Sequence, residues 1–156
     1  MLFRLAYVAL LALTIARPAM AQTSDAKVLN LAGARVMAEI AEAEARRNNW
    51  NVAIAVVDAH GELIFFLKMD DVQQGSVDIA QAKARTAARM RRPTKALDDA
   101  VAAGRQALLA VDGLLPLEGG VPVLYGGVVI GAVGVSGVTS AQDAQVAAAG
   151  IRAVFP

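Results

Sequence analysis

Apolar residues recur at helical spacing through Val28, Ala32, Val36, Ile40 and Ala43, between Ser24 or Asp25 as an N-cap and Arg46-Arg47-Asn48-Asn49 as a stop. The period then changes. Residues 52–57 are apolar at both parities, as in a strand covered on both faces, and Asp58-Ala59-His60-Gly61 supplies turn chemistry before residues 63–68. That pair predicts an antiparallel hairpin. Helical spacing returns from 74–76 to about Met90, and Pro93-Thr94 ends that helix and caps a third one reaching the neighbourhood of Ala103. Residues 121–125 and 128–135 predict a second hairpin through Gly126-Gly127. Ser140-x-x-Asp143 has the form of a capping box for a last helix, with the stripe Ala144, Ala147, Ala148, Ile151 and Val154. Helix, two strands, helices, two or three strands and helix, joined by hairpins, predict an α/β chain of the α+β kind, with helices packed on an antiparallel sheet.

The first residues change how the chain is divided. Arg4 precedes an apolar run over 5–15, and Ala19-Met20-Ala21 provides a small-x-small cleavage site, so residues 1–21 read as a secretory signal peptide and 22–156 as a single domain. A periplasmic or secreted protein follows, and no later segment has the uninterrupted apolar length of a membrane anchor. Losing Arg4 and Arg17 takes the formal charge from +1 to −1, which offers no global basic signature for nucleic acid. Cysteine is absent, so disulfides, thiolate metal sites and cysteine nucleophiles are excluded. Aromatic residues are only 4% of the chain, leaving alanine, valine and leucine to fill a core in which backbones approach closely.

Candidate chemistry is sparse and specific. Lys83 lies on the apolar stripe Ile79, Ala80, Ala84, Ala87 and Met90 and therefore points at the sheet, where it needs a carboxylate, a carbonyl cluster or a bound anion. Asp58 and Asp70 are the structural partners considered, and Thr86 is one turn further on the same side. Arg85, Arg89 and Arg92 run along the outer face, as a solvated face or as an acceptor for carboxylates or phosphates. His60, the sole histidine, sits at a turn tip and is the strongest conventional iron ligand, ahead of Tyr125, Met69 and Met90. Gly131 and Gly134 interrupt an apolar run with opposite parity, one on each face of the sheet, and Ser136 shares the parity of Gly134. Gly134-Val135-Ser136-Gly137-Val138 lacks the second glycine of a nucleophile elbow, and no Gly-Lys-Ser/Thr phosphate loop is present.

The segments AVVDAHGEL, Met69-Asp70, AKARTA, LEGGVPV, GAVGVSG and Gln142-Asp143 together resemble the GlcG/HbpS family of haem-binding and related proteins. Asp58, Gly61, Asp70, Lys83, Thr86, Gly119, Gly120, Pro122, Gly131, Gly134, Ser136, Gly137 and Asp143 match its pattern. The resemblance implies a profilin-like domain whose five-stranded antiparallel sheet has helices on both faces, commonly as a homo-oligomer. It also implies an exported haem-binding or small-ligand-binding protein. Lys83, Thr86, Gly119, Gly120, Ser136 and His60 are then the cofactor-binding candidates, with haem as the possible cofactor and haem or a small anionic ligand as the partner. Two alternatives stand beside it: an enzyme acting on an organic acid through Lys83, and a structural oligomeric partner of another exported protein.

Overall fold

The computed structural model describes residues 26–155; the expected leader and the caps Ser24 and Asp25 lie outside them. In chain order the elements are α1 (Leu31–Arg47), β1 (Ala53–Asp58), β2 (Leu63–Lys68), α2 (Gly75–Met90), α3 (Thr94–Ala102), β3 (Gly120–Tyr125), β4 (Val128–Ser136) and α4 (Ser140–Val154). A short 3-10 helix, Gln106–Ala110, follows α3. The sheet has four antiparallel strands in the order β2-β1-β4-β3, which corrects the expected five-stranded profilin-like sheet. The reason lies between α3 and β3, where backbone amides bond to side chains instead of a ladder. Leu115 N donates to Thr86 Oγ1 at 2.9 Å and Glu118 N to Asp98 Oδ2 at 3.0 Å. Pro116 between them has no N–H to offer a strand.

Alternation along β1 sorts the interior into two layers. Ile54 and Val56 join Val133 and Val135 of β4 against α1 and α4, while Ala53, Ala55 and Val57 join Ala132 against α2. Both hairpins form as the pattern predicts. At Gly126-Gly127 both turn residues have positive φ, 57° and 80°, the conformation of a two-residue hairpin loop.

Helix α2 rests almost backbone to backbone on the sheet. A Cβ at Gly134 would stand 2.2 Å from Ala80 O and 2.4 Å from Ala84 N, and one at Gly120 would stand 2.3 Å from Lys83 O. The sheet face that Gly134 opens is therefore covered by α2. On the opposite layer α1 crosses α4 at Gly150, where a Cβ would meet Met37 O at 2.4 Å.

That close crossing overturns the expected inner face of α1 and shifts that of α4, where Ala147 and Ile151 are buried as expected. In α1 the buried positions are Ala34, Met37, Ala38, Ala41 and Ala45, whereas Val28 and Val36 are 77% and 43% exposed. Alanine wins the inner face because a branched side chain would hold the helices apart. Asn30 caps α1, its Oδ1 accepting from Gly33 N. In α4 the buried face is Asp143, Val146, Ala147, Gly150 and Ile151. Its capping box is Thr139 with Gln142, one residue earlier than expected, and this leaves the Asp143 carboxylate free to turn inward.

Candidate functional site

The inward Lys83 is confirmed and its partner is corrected. Lys83 is 1% exposed, and its Nζ donates to Asp143 Oδ2 at 2.8 Å and to Val135 O at 3.1 Å. Neither Asp58 nor Asp70 reaches it. Asp58 Oδ1 instead accepts from His60 N at 2.8 Å and Glu62 N at 2.9 Å, building the β1–β2 turn, and Asp70 is exposed. Asp143 Oδ1 accepts from Val138 N at 3.2 Å, so both carboxylate oxygens are engaged. Burial pushes the Asp143 pKa above the ordinary carboxylate range, against the opposing pull of the Lys83 ammonium and the Val138 amide. An ammonium held in this way is a structural cation.

Gly119 is required at this spot. Its φ of 128° favours glycine, and a Cβ there would lie 2.7 Å from Lys83 Nζ and 3.0 Å from Asp143 Cβ. Gly120 N donates to Thr94 Oγ1 at 2.9 Å, tying β3 to the start of α3. Thr86 Oγ1 is occupied by Leu115 N. Thr86, Gly119 and Gly120 thus shape the surroundings of Lys83. Ser136 alone joins Lys83 on the wall of a cavity of about 190 Å³, with Gln73, Ser76, Ser140 and Asp143 providing further polar lining.

His60 is somewhere else. Ala53 of β1 pairs with Ser136, while the His60 turn follows Asp58 at the other end of this six-residue strand, roughly 17 Å away. There the segment before α1, the β1–β2 turn and the β3–β4 hairpin enclose a groove of about 510 Å³. Leu29, Ile64, Val128 and Ile130 give it apolar walls, with His60, Tyr125 and Lys27 among its polar groups. Tyr125 packs edge-on against Phe155, with ring centroids 6.2 Å apart. Two of the four residues ranked as iron ligands therefore share one groove, whereas Met69 is buried in the core.

The basic segment holds this turn in place. Arg89 Nε donates to His60 O at 2.8 Å and Arg85 Nε to Gly61 O at 3.4 Å, and a Cβ on Gly61 would strike Arg85 Cγ at 2.9 Å. Arg92, two residues beyond the end of α2, donates its Nε to Met90 O at 3.3 Å. Among the described residues, no three His, Cys, Asp or Glu side chains converge as a metal site, and no helix is long and apolar enough to cross a membrane.

Sequence reasoning missed Asp143 as the partner of Lys83, and Ser76 and Gln73 as cavity residues. The signal for Asp143 was present. It lies on the apolar stripe of α4 just as Lys83 lies on that of α2, and two opposite charges on inward faces call for each other. Ser76 carried no such mark, because a serine at a helix start ordinarily reads as a terminus residue.

Comparison with known proteins identifies the family. A family model described as "Haem degrading protein HbpS-like" matches residues 29–152. Protein GlcG of Escherichia coli K12 is 50% identical over 93 residues, covering 60% of this chain and 69% of that protein. The crystal structure of a double mutant of Streptomyces reticuli HbpS is 32% identical with a TM-score of 0.80, covering 98% of this chain and 99% of that one. A PduOC:heme complex is 27% identical with a TM-score of 0.75, covering 83% of this chain and 96% of that one. The chain is a member of the HbpS-like family to which GlcG also shows this kinship.

Proposed function

We propose that this protein is an exported haem-binding protein whose ligand sits in the groove between the His60 turn and the β3–β4 hairpin. The observation that carries the proposal is that the groove combines a volume of about 510 Å³, apolar walls and the sole histidine of the chain. Ligand sites of this type run from about 300 to 1,000 Å³, a range that favours the groove over the 190 Å³ cavity beside Lys83. His60 uses its backbone N and O in the turn, and its imidazole has no hydrogen bond to a described residue. The ring is therefore available to iron, with Tyr125 as the alternative donor and Lys27 as a cation for a propionate. Bound haem would contribute its iron and its light absorption, while the protein contributes apolar burial and one or two oriented ligands. The haem named for the PduOC complex adds support by kinship.

Titration of purified protein with haemin should give a saturable Soret shift approaching one haem per chain, and His60→Ala should displace the band and weaken binding. Adsorption that never saturates and disperses in detergent defeats the proposal. Export is tested on the same preparation: the intact mass of protein recovered from the periplasm should correspond to a start at Gln22.

A second reading concerns self-association. Val28, Leu124, Tyr125 and Val128 around the groove are between 51% and 77% exposed, an apolar rim of the kind that marks an interface. Light scattering behind size exclusion should report a homo-oligomer that Val128→Glu dissociates.

A further inference from the structure

The cavity beside Lys83 contains hydroxyls for which the protein supplies no partner. Ser76 is 3% exposed and Ser136 6%, both line the cavity, and neither side chain hydrogen-bonds to a described residue. No wholly enclosed side-chain atom lacks a partner among the described residues, so these two oxygens open into the cavity itself. A hydroxyl withdrawn from bulk water in this way is satisfied only by what the cavity contains. Lys83 adds to the demand. An ammonium has three N–H donors, and only two acceptors, Asp143 Oδ2 and Val135 O, are in place.

The electrostatic balance favours one negative charge. Lys83 and Asp143 neutralise each other across 2.8 Å, leaving the N-terminal turn of α4 as the uncompensated contribution. Ser140, the first residue of that helix, lines the cavity; the Thr139 cap takes Gln142 N and Thr139 O takes Asp143 N, which leaves the Ser140 and Ala141 amides without a protein acceptor among the described residues. Ile79, Leu117 and Val138 form an apolar part of the wall. The volume of about 190 Å³ corresponds to roughly six water molecules at about 30 Å³ each, room for a ligand of about six heavy atoms.

We infer that this cavity binds a small aliphatic monocarboxylate of about three or four carbons. Its carboxylate meets Ser136, Ser76 and the free Lys83 donor, and its chain lies against Ile79, Leu117 and Val138. Chloride leaves the apolar wall uncovered. A second negative charge, as on phosphate, has no cation left to meet it. The site is separate from the haem groove, which lies at the other end of β1.

Butyrate and propionate, titrated into isotopically labelled full-length protein at constant ionic strength, should cause saturable amide shifts around Ser136, Ser140 and Ser76. Sodium chloride alone should not. The double variant Ser76→Ala/Ser136→Ala removes hydroxyls that bond to no described residue, so it should fold unchanged and bind butyrate about tenfold more weakly. Its haemin titration should match that of the unmodified protein, which separates a failure at this site from a failure at the groove. The inference is overturned if butyrate shifts do not saturate, if the double variant binds equally well, or if inorganic phosphate binds more tightly than butyrate.

Discussion

The two cavities at opposite ends of β1 are built on different principles. Beside Lys83 the space is small, polar and fixed, because Gly119 and Gly120 bring β3 against the Lys83 ammonium and backbone, and the buried ion pair with Asp143 joins α2 to α4. At His60 the space is larger and apolar, enclosed by a turn and a hairpin tip, and the nearby Gly126 and Gly127 have open room around them. One end is specified by close contact and the other by surface shape. A rigid polar pocket selects a ligand by its exact hydrogen bonds, while an apolar groove accepts a class of ligands by size.

The sharpest way to break the contrast is to remove one charge of the pair. Lys83→Met leaves Asp143 buried without its counter-ion and should lower unfolding free energy by about 3–5 kcal/mol in urea titrations. Adding Asp143→Asn, which retains an acceptor for Val138 N, should recover more than half of that loss; a double variant no better than the single one would mean that the pair is not the coupling element.

Glycine substitutions probe the same difference at a smaller scale. Gly119→Ala drives a Cβ to 2.7 Å from Lys83 Nζ at a φ of 128°, for an expected cost of about 2–3 kcal/mol. Gly126→Ala meets only its φ of 57° and open space, for about 1 kcal/mol. Equal melting temperatures for the two variants would erase the distinction drawn between the two ends.

Acid titration separates them further. Burial raises the Asp143 pKa, so the folded state holds this proton more firmly than the unfolded chain, whose value is 3.8. The stabilising contribution is complete below pH 3.8 and is lost as pH rises through the folded pKa. Urea midpoints of the unmodified protein should therefore fall across that window relative to Lys83→Met/Asp143→Asn, which lacks the titrating carboxyl. Parallel curves would remove Asp143 as the origin of the slope.

The smallest effect on stability belongs to the groove. His60 is exposed and its ring bonds to no described residue, so His60→Ala should change unfolding free energy by no more than about 0.5 kcal/mol while it displaces the haemin Soret band. A large loss of stability would make His60 a structural residue.

Periodicity by itself determined the kinds and order of elements in this protein, both hairpins, and the inward direction of Lys83, because those follow from which residues repeat every two or every 3.6 positions. The segments AVVDAHGEL, Met69-Asp70, AKARTA, LEGGVPV, GAVGVSG and Gln142-Asp143 together carried the family resemblance. What the sequence could not settle was decided where separate elements meet. Asp143 rather than Asp58 or Asp70 faces Lys83 because the capping box begins at Thr139 and turns α4 accordingly. The inner face of α1 is mostly alanine because α4 crosses it at Gly150, a distance no single-helix pattern encodes. The sheet stops at four strands because Thr86 and Asp98, far from Leu115 and Glu118 in sequence, take the amides a fifth strand would need. The separation of His60 from Lys83 has the same origin: each was visible in the sequence, but only the pairing of Ala53 with Ser136 sets them at opposite ends of one strand.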